Sequence, residues 1–144
     1  MPNDPAERNR QLALRWFAAM NAGDLGAVVD ELFAPGYRLH VTGGPRDARG
    51  PAAIRAVIGG YRAAFPDLRF TVHETAAEGD TVCVRWTAEG THRGPLMGVE
   101  PSGARARWTG ISWLHFADGR VAEDWVENDV VGMMQQLGAV PAAV

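Results

Sequence analysis

The apolar residues of this chain change from a mainly helical period to a period of two near Pro66, and that change restricts the fold more than any other feature of the sequence. Before it the spacing is helical, with one apolar stripe per segment; after it, side chains alternate as along a half-buried strand. Leu12, Trp16 and Met20 recur every four residues with Ala13 and Phe17 beside them, which predicts a helix over about residues 4–21. Asp4 is placed to cap it, Pro5 suits its first turn and Gly23 is placed to close it. Asp24 is expected to cap a second helix that carries Leu25, Val28, Val29, Leu32 and Phe33 before Ala34, Pro35 and Gly36 break it. Residues 37–42 read as a short strand, followed by a glycine-rich loop that ends at Gly50. Pro51 opens a third helix with Ile54, Val57, Ile58, Tyr61 and Phe65 on one face, and Pro66 with Asp67 ends it.

Residues 68–75, 81–92, 104–117 and 120–127 then alternate, or are rich in valine, threonine and tryptophan, and predict antiparallel strands. Asp118 and Gly119 favour a two-residue hairpin turn, and Val131, Met134 and Leu137 a short last helix that stops at Gly138. Helices followed by a run of strands imply an α+β fold, with the helices gathered on one face of a curved sheet. At 144 residues, one domain over 1–144 is expected, with fraying ends.

Composition removes several chemistries. All 14 basic residues are arginine, so no side chain can form a Schiff base or act as a phosphate-loop lysine. Cys83 is the single cysteine, which excludes an internal disulfide and any multi-cysteine metal site. The net charge is −3, with arginines scattered from Arg8 to Arg120, so no basic face for nucleic acid is expected. His40, His73, His92 and His115 lack the spacing of a helical metal pair, and no metal is assigned. The opening Met1, Pro2, Asn3, Asp4, Pro5 lacks the pattern of a signal peptide, and no apolar run approaches the ~20 residues of a membrane span. The expectation is a soluble cytoplasmic protein with a small-molecule substrate and neither nucleic-acid nor membrane partners.

The strand faces point to a pocket. Val82, Val84, Trp86, Ala88 and Gly90 share one face, which places His92 on the inward side, either as a strand-end histidine bonded to a backbone carbonyl or as an acid–base group. With a two-residue turn at Asp118–Gly119, strict alternation collects Trp108, Ser112, Leu114, Phe116, Val121, Glu123, Trp125 and Asp129 on one face. Ile111, Trp113, His115, Ala122, Asp124 and Val126 fall on the other, and a bulge would exchange the faces beyond it. A carboxylate beside tryptophans has a raised pKa and can move a proton near neutral pH; Asp129 is therefore an acid–base candidate, or else the N-cap of the last helix. Leu96 and Met97, in the loop from Gly94 to Gly103, are placed as a pocket lid or a dimer contact, and His40 as a residue of the pocket mouth.

Two motifs carry a family resemblance. Gly90, Thr91, His92, Arg93, Gly94, Pro95, Leu96, Met97 and Gly98, then Pro101, Ser102 and Gly103, form the first. The second runs from Asp118, Gly119 and Arg120 through Glu123, Asp124, Trp125 and Asp129 to Gln135, Gln136, Leu137 and Gly138. Together with the order of elements, they resemble the SnoaL-like polyketide cyclase family of the NTF2-like superfamily. The resemblance implies a cone-shaped α+β barrel, a homodimer formed through the sheet and a deep apolar pocket. It also implies an intramolecular aldol ring closure of a polyketide ester, driven by an acidic side chain without metal or organic cofactor. Many relatives carry an aspartate directly after the tryptophan of the closing motif, which the resemblance marks as the acid–base residue. Here that position is Val126, and only the second aspartate, Asp129, is kept. Valine transfers no proton, so the role passes to Asp129 or His92, with Trp108, Trp125, Trp86, His40, Met97, Ser112 and Trp16 as expected binding residues. Three functions follow: a cofactor-independent cyclase or isomerase, a hydroxylase-type relative working with a reductase, or a non-catalytic binding module.

Overall fold

The computed structural model describes residues 4–141; residues 1–3 and 142–144, on which part of the reading of both chain ends falls, lie outside the described residues. Helix α1 (Pro5–Ala22) is capped by Asp4, whose side chain accepts from the Ala6 N–H, and Gly23 closes it. Helix α2 (Ala27–Leu32) is shorter than expected: Gly26 rather than Asp24 occupies its N-cap, and Phe33 is already extended. Pro35 explains the early end, because it has no N–H to continue the helical ladder. The chain passes directly into β1 (Phe33–Val41), and the following loop holds a two-residue strand, β2 (Ala48–Arg49), that the sequence did not announce. Helix α3 (Pro51–Ala64) leads to four long strands, β3 (Arg69–Glu78), β4 (Thr81–Thr91), β5 (Arg105–Ala117) and β6 (Arg120–Asn128), and to α4 (Val130–Gln136).

The strands form one curved six-stranded sheet in the order β2-β1-β6-β5-β4-β3. All neighbours are antiparallel except β1 and β6, which run parallel. Along β5 every second residue from Ala106 to Phe116 is buried, as the period of two requires, and β4 buries Val82, Val84, Trp86 and Ala88 on the same face. Helix α1 packs Phe17 and Met20 toward β3 and β4, and α3 packs against β1, so the helices gather on the inner face. No helix among the described residues is long and apolar enough to cross a membrane.

The β5–β6 hairpin decides what the inner face carries. Asp118 and Gly119 both have positive φ, 52° and 76°, the turn geometry whose twist matches that of the flanking strands. Ala117 opposes Arg120 and Phe116 opposes Val121, but His115 opposes Glu123, leaving Ala122 as an extra residue. This bulge exchanges the faces of β6 beyond it. It corrects the strict alternation read from the sequence: Glu123 and Trp125 leave the inner face, and Asp124, Val126 and Asn128 enter it.

Candidate functional site

The helices leave part of the inner face uncovered, and a cavity remains between α1, α3 and strands β1, β4, β5 and β6. Its walls are mostly apolar, with Phe17 and Met20 from α1, Ile54 and Ile58 from α3, and Leu39 from β1. Trp86 lies across Gly110, where a Cβ would overlap the indole, so only glycine lets the ring rest on β5. The ring is held there by its Nε1–H, which donates to Ser112 Oγ at 3.0 Å. Trp108 packs between Phe65, with centroids 5.2 Å apart, and Tyr61 at 6.0 Å. Trp16 joins the wall from α1 and meets Phe33 edge-on at 4.8 Å.

Against this apolar wall the bulge sets one carboxyl group. Asp124 is 2% exposed and lines the cavity; its Oδ2 accepts the Tyr37 O–H at 3.1 Å, while Oδ1 has no partner. Burial pushes its pKa up to about 7, against the bond from Tyr37, which favours the charged form. Tyr37 is itself fully buried, and burial together with the neighbouring carboxylate pushes its phenol far above the usual range, so it stays a neutral donor. Four buried side-chain polar atoms among the described residues lack a partner, and three of them, on Asp124, Tyr61 and Asn128, belong to residues that line the cavity. Because buried polar groups are nearly always paired, these atoms are groups that a bound molecule or water can satisfy. A carboxyl that is half ionised near neutral pH can both accept and return a proton.

The candidates read from sequence separate into two sets. Trp16, Trp86, Trp108 and Ser112 line the cavity. Trp125 lies on the outer face, 38% exposed and stacked on His40 at 5.1 Å, and His40 Nε2 pairs with Glu123 Oε2 at 2.7 Å. Met97 is exposed in the loop between β4 and β5, with φ of 48°. Asp129 is exposed at the N-cap of α4, where Oδ1 accepts the Gly132 N–H at 2.9 Å. His92 is fully buried outside the cavity lining; its Nδ1 accepts the Ser102 N–H at 3.1 Å and lies 2.9 Å from Ser102 Oγ, which ties the two ends of that loop together. Asp124, Tyr37, Tyr61 and Asn128 were not among the candidates. The bulge hid Asp124 and Asn128 from strict alternation, whereas Tyr61 was visible only as one more apolar-face residue of a helix.

The family described as SnoaL-like polyketide cyclase matches residues 10–137. The chain is similar to the solved structure of AclR from Streptomyces galilaeus, a proposed hydroxylase, with a TM-score of 0.83 and 31% identity over 96% of this chain and 86% of that one. IdmH from Streptomyces antibioticus, a proposed polyketide cyclase, has a TM-score of 0.77 and 32% identity over 90% of this chain and 98% of its own. A proposed SnoaL-like polyketide cyclase from Jannaschia sp. CCS1 has a TM-score of 0.85 and 28% identity over 94% of this chain and 95% of its own. No protein of curated function matches.

Proposed function

From the premise that the chain belongs to the SnoaL-like polyketide cyclase family, we propose that it is a cofactor-independent cyclase or isomerase that binds a polyketide-like carbonyl compound in the cavity and moves protons with Asp124. The observation that carries this reading is the unpaired carboxyl oxygen of Asp124, buried on an otherwise apolar wall. Val126, at the position where many relatives carry aspartate, lines the same cavity two residues along β6. The proton carrier is thus displaced by one inward step, about 7 Å, rather than lost.

In the aldol reaction, ionised Asp124 takes a proton from the carbon beside a substrate carbonyl. The resulting enolate attacks a second carbonyl of the same molecule, a carbon–carbon bond closes the ring, and the new alkoxide takes the proton back from Asp124. Tyr37 holds Oδ2, which leaves Oδ1 for the substrate. The aromatic walls stack a planar polyene and exclude water that would protonate the enolate. In this reading Asp129 serves α4 and His92 serves the loop that ends at Ser102.

The similarity to AclR supports a second reading, oxygen insertion alongside a reductase. Product mass separates the two. The protein is incubated with fused-ring polyketide methyl esters, with and without a reductase and its nicotinamide cofactor, and followed by liquid chromatography and mass spectrometry. A product of unchanged mass, lost by about 10²–10⁴-fold in Asp124→Asn and retained in Asp129→Asn, is expected. A product heavier by one oxygen favours the second reading, and binding without any product favours a non-catalytic module.

A homodimer through the outer face of the sheet is also proposed. Trp113 and Trp125 oppose each other across β5 and β6, are 49% and 38% exposed, and have exposed Ile111 beside them. Tryptophans placed so are typical interface anchors. Sedimentation should give a dimer for the native chain and a monomer for Trp113→Glu; a native monomer would refute the assignment.

A further inference from the structure

We propose that Asn128 and Tyr61 form a second polar subsite at the opposite end of the cavity from Asp124, and that it selects substrates whose non-reacting ring carries a hydroxyl group. This deepens the reading above and rests on the cavity holding a planar polycycle.

The strand register places the two poles. Asp124 lies opposite Leu114, Val126 opposite Ser112 and Asn128 opposite Gly110. Four residues of strand separate Asp124 from Asn128, about 13 Å at the usual rise. Trp108 is the next inward residue of β5 beyond Gly110, and Tyr61 stacks on it, so α3 delivers the phenol to the Asn128 end. Between the poles the wall is Val126 and the Trp86 ring, which rests on Gly110. The site is therefore a slot that is apolar in the middle and polar at both ends.

The chemistry of the second pole is specific. The Asn128 oxygen and the Tyr61 hydroxyl are both buried and both lack a partner in the protein. The Asn128 oxygen accepts and the Tyr61 hydroxyl donates, so a substrate hydroxyl, which does both, satisfies the pair, whereas a carbonyl oxygen would satisfy Tyr61 alone. Burial pushes the Tyr61 phenol up, which keeps it protonated and able to donate. A bare ring edge or a methyl group would leave both protein groups unpaired, and that penalty makes the subsite selective. The separation of the poles suits a linear tricyclic compound with a hydroxyl on its outer ring. Asp124 works on the reacting end while the other end is held.

The test reads binding and needs no turnover. Calorimetric titration compares 2-hydroxyanthraquinone with anthraquinone for the native protein, Asn128→Leu, Tyr61→Phe, the double variant and Asp124→Asn. The native protein should bind the hydroxylated compound about tenfold more tightly. Each single variant should reduce that preference, the double variant should abolish it while still binding anthraquinone, and Asp124→Asn should keep it. Tyr61→Phe is nearly isosteric, so its result stands even if Asn128→Leu fails to fold. Equal binding of both compounds by the native protein, a preference that survives in the double variant, or one lost only in Asp124→Asn would overturn the subsite while leaving the cavity reading intact. Failure of both compounds to bind any form would overturn both readings.

Discussion

Asp124→Asn should make the protein more stable above neutral pH, although it removes a residue assigned to catalysis. The folded pKa of Asp124, about 7, lies above the ordinary carboxylate value of 3.8. Below about pH 4 both the folded and the unfolded chain hold the proton, and no penalty arises. As pH rises from there, the unfolded chain ionises first, and the folded state loses about 1.4 kcal/mol of stability per pH unit until its own carboxyl ionises near pH 7. Above that the loss levels off at about 4 kcal/mol, which corresponds to roughly 10 °C in melting temperature for a chain of this size. Asparagine cannot ionise and still presents an oxygen to the Tyr37 hydroxyl. Urea denaturation of both forms, at equal protein concentration and at intervals between pH 4.5 and 8.5, gives the difference directly. The variant's advantage should grow with pH and then flatten. Parallel curves with a constant offset would refute the argument, since Asp124 would then ionise alike in both states.

Three further perturbations probe the surroundings of this group. Tyr37→Phe removes a donor that favours the carboxylate, so the pH at which Asp124 ionises should rise by about one to two units, read as an alkaline shift in the pH–rate profile; an unmoved profile would count against the contact. Gly110→Ala forces a Cβ into the Trp86 indole and should lower stability by about 1–3 kcal/mol in thermal unfolding, with weaker ligand binding; a neutral result would mean that the ring is free to move. Asp129→Ala removes the bond to the Gly132 N–H and should lower stability by about 1 kcal/mol with turnover kept, whereas a loss of turnover at native stability would return the acid–base role to Asp129.

Most of the framework was legible because its signals are local. The stripe of Leu12, Trp16 and Met20, the alternation from Val82 to Ala88 and the Asp118–Gly119 turn each need only neighbouring residues to be read, and each forms as the spacing requires. The site was less legible because it depends on a distant pairing. Phe33 and Arg38 of β1 pair with Val121 and Glu123 of β6, so the stretch around Pro35 and Gly36 has no regular partner. The extra Ala122 sits in the same part of the sheet, opposite β5. Nothing in residues 118–128 alone says that a parallel strand some eighty residues earlier runs beside them. One added residue therefore moved Trp125 from the expected pocket to the outer face and brought Asp124 inside. Asp129 and His92 show the complementary limit: both were visible as polar residues in notable places, but their hydrogen bonds bind them to Gly132 and Ser102.

The chemistry proposed for the cavity depends on one buried aspartate, Asp124, holding its proton up to neutral pH. Carboxyl carbon-13 resonance of aspartate-labelled protein tests it most directly. One aspartate should titrate near pH 7, and that signal should be absent in Asp124→Asn. A spectrum in which every aspartate has ionised by pH 5, or a neutral titration that survives in Asp124→Asn, would contradict it.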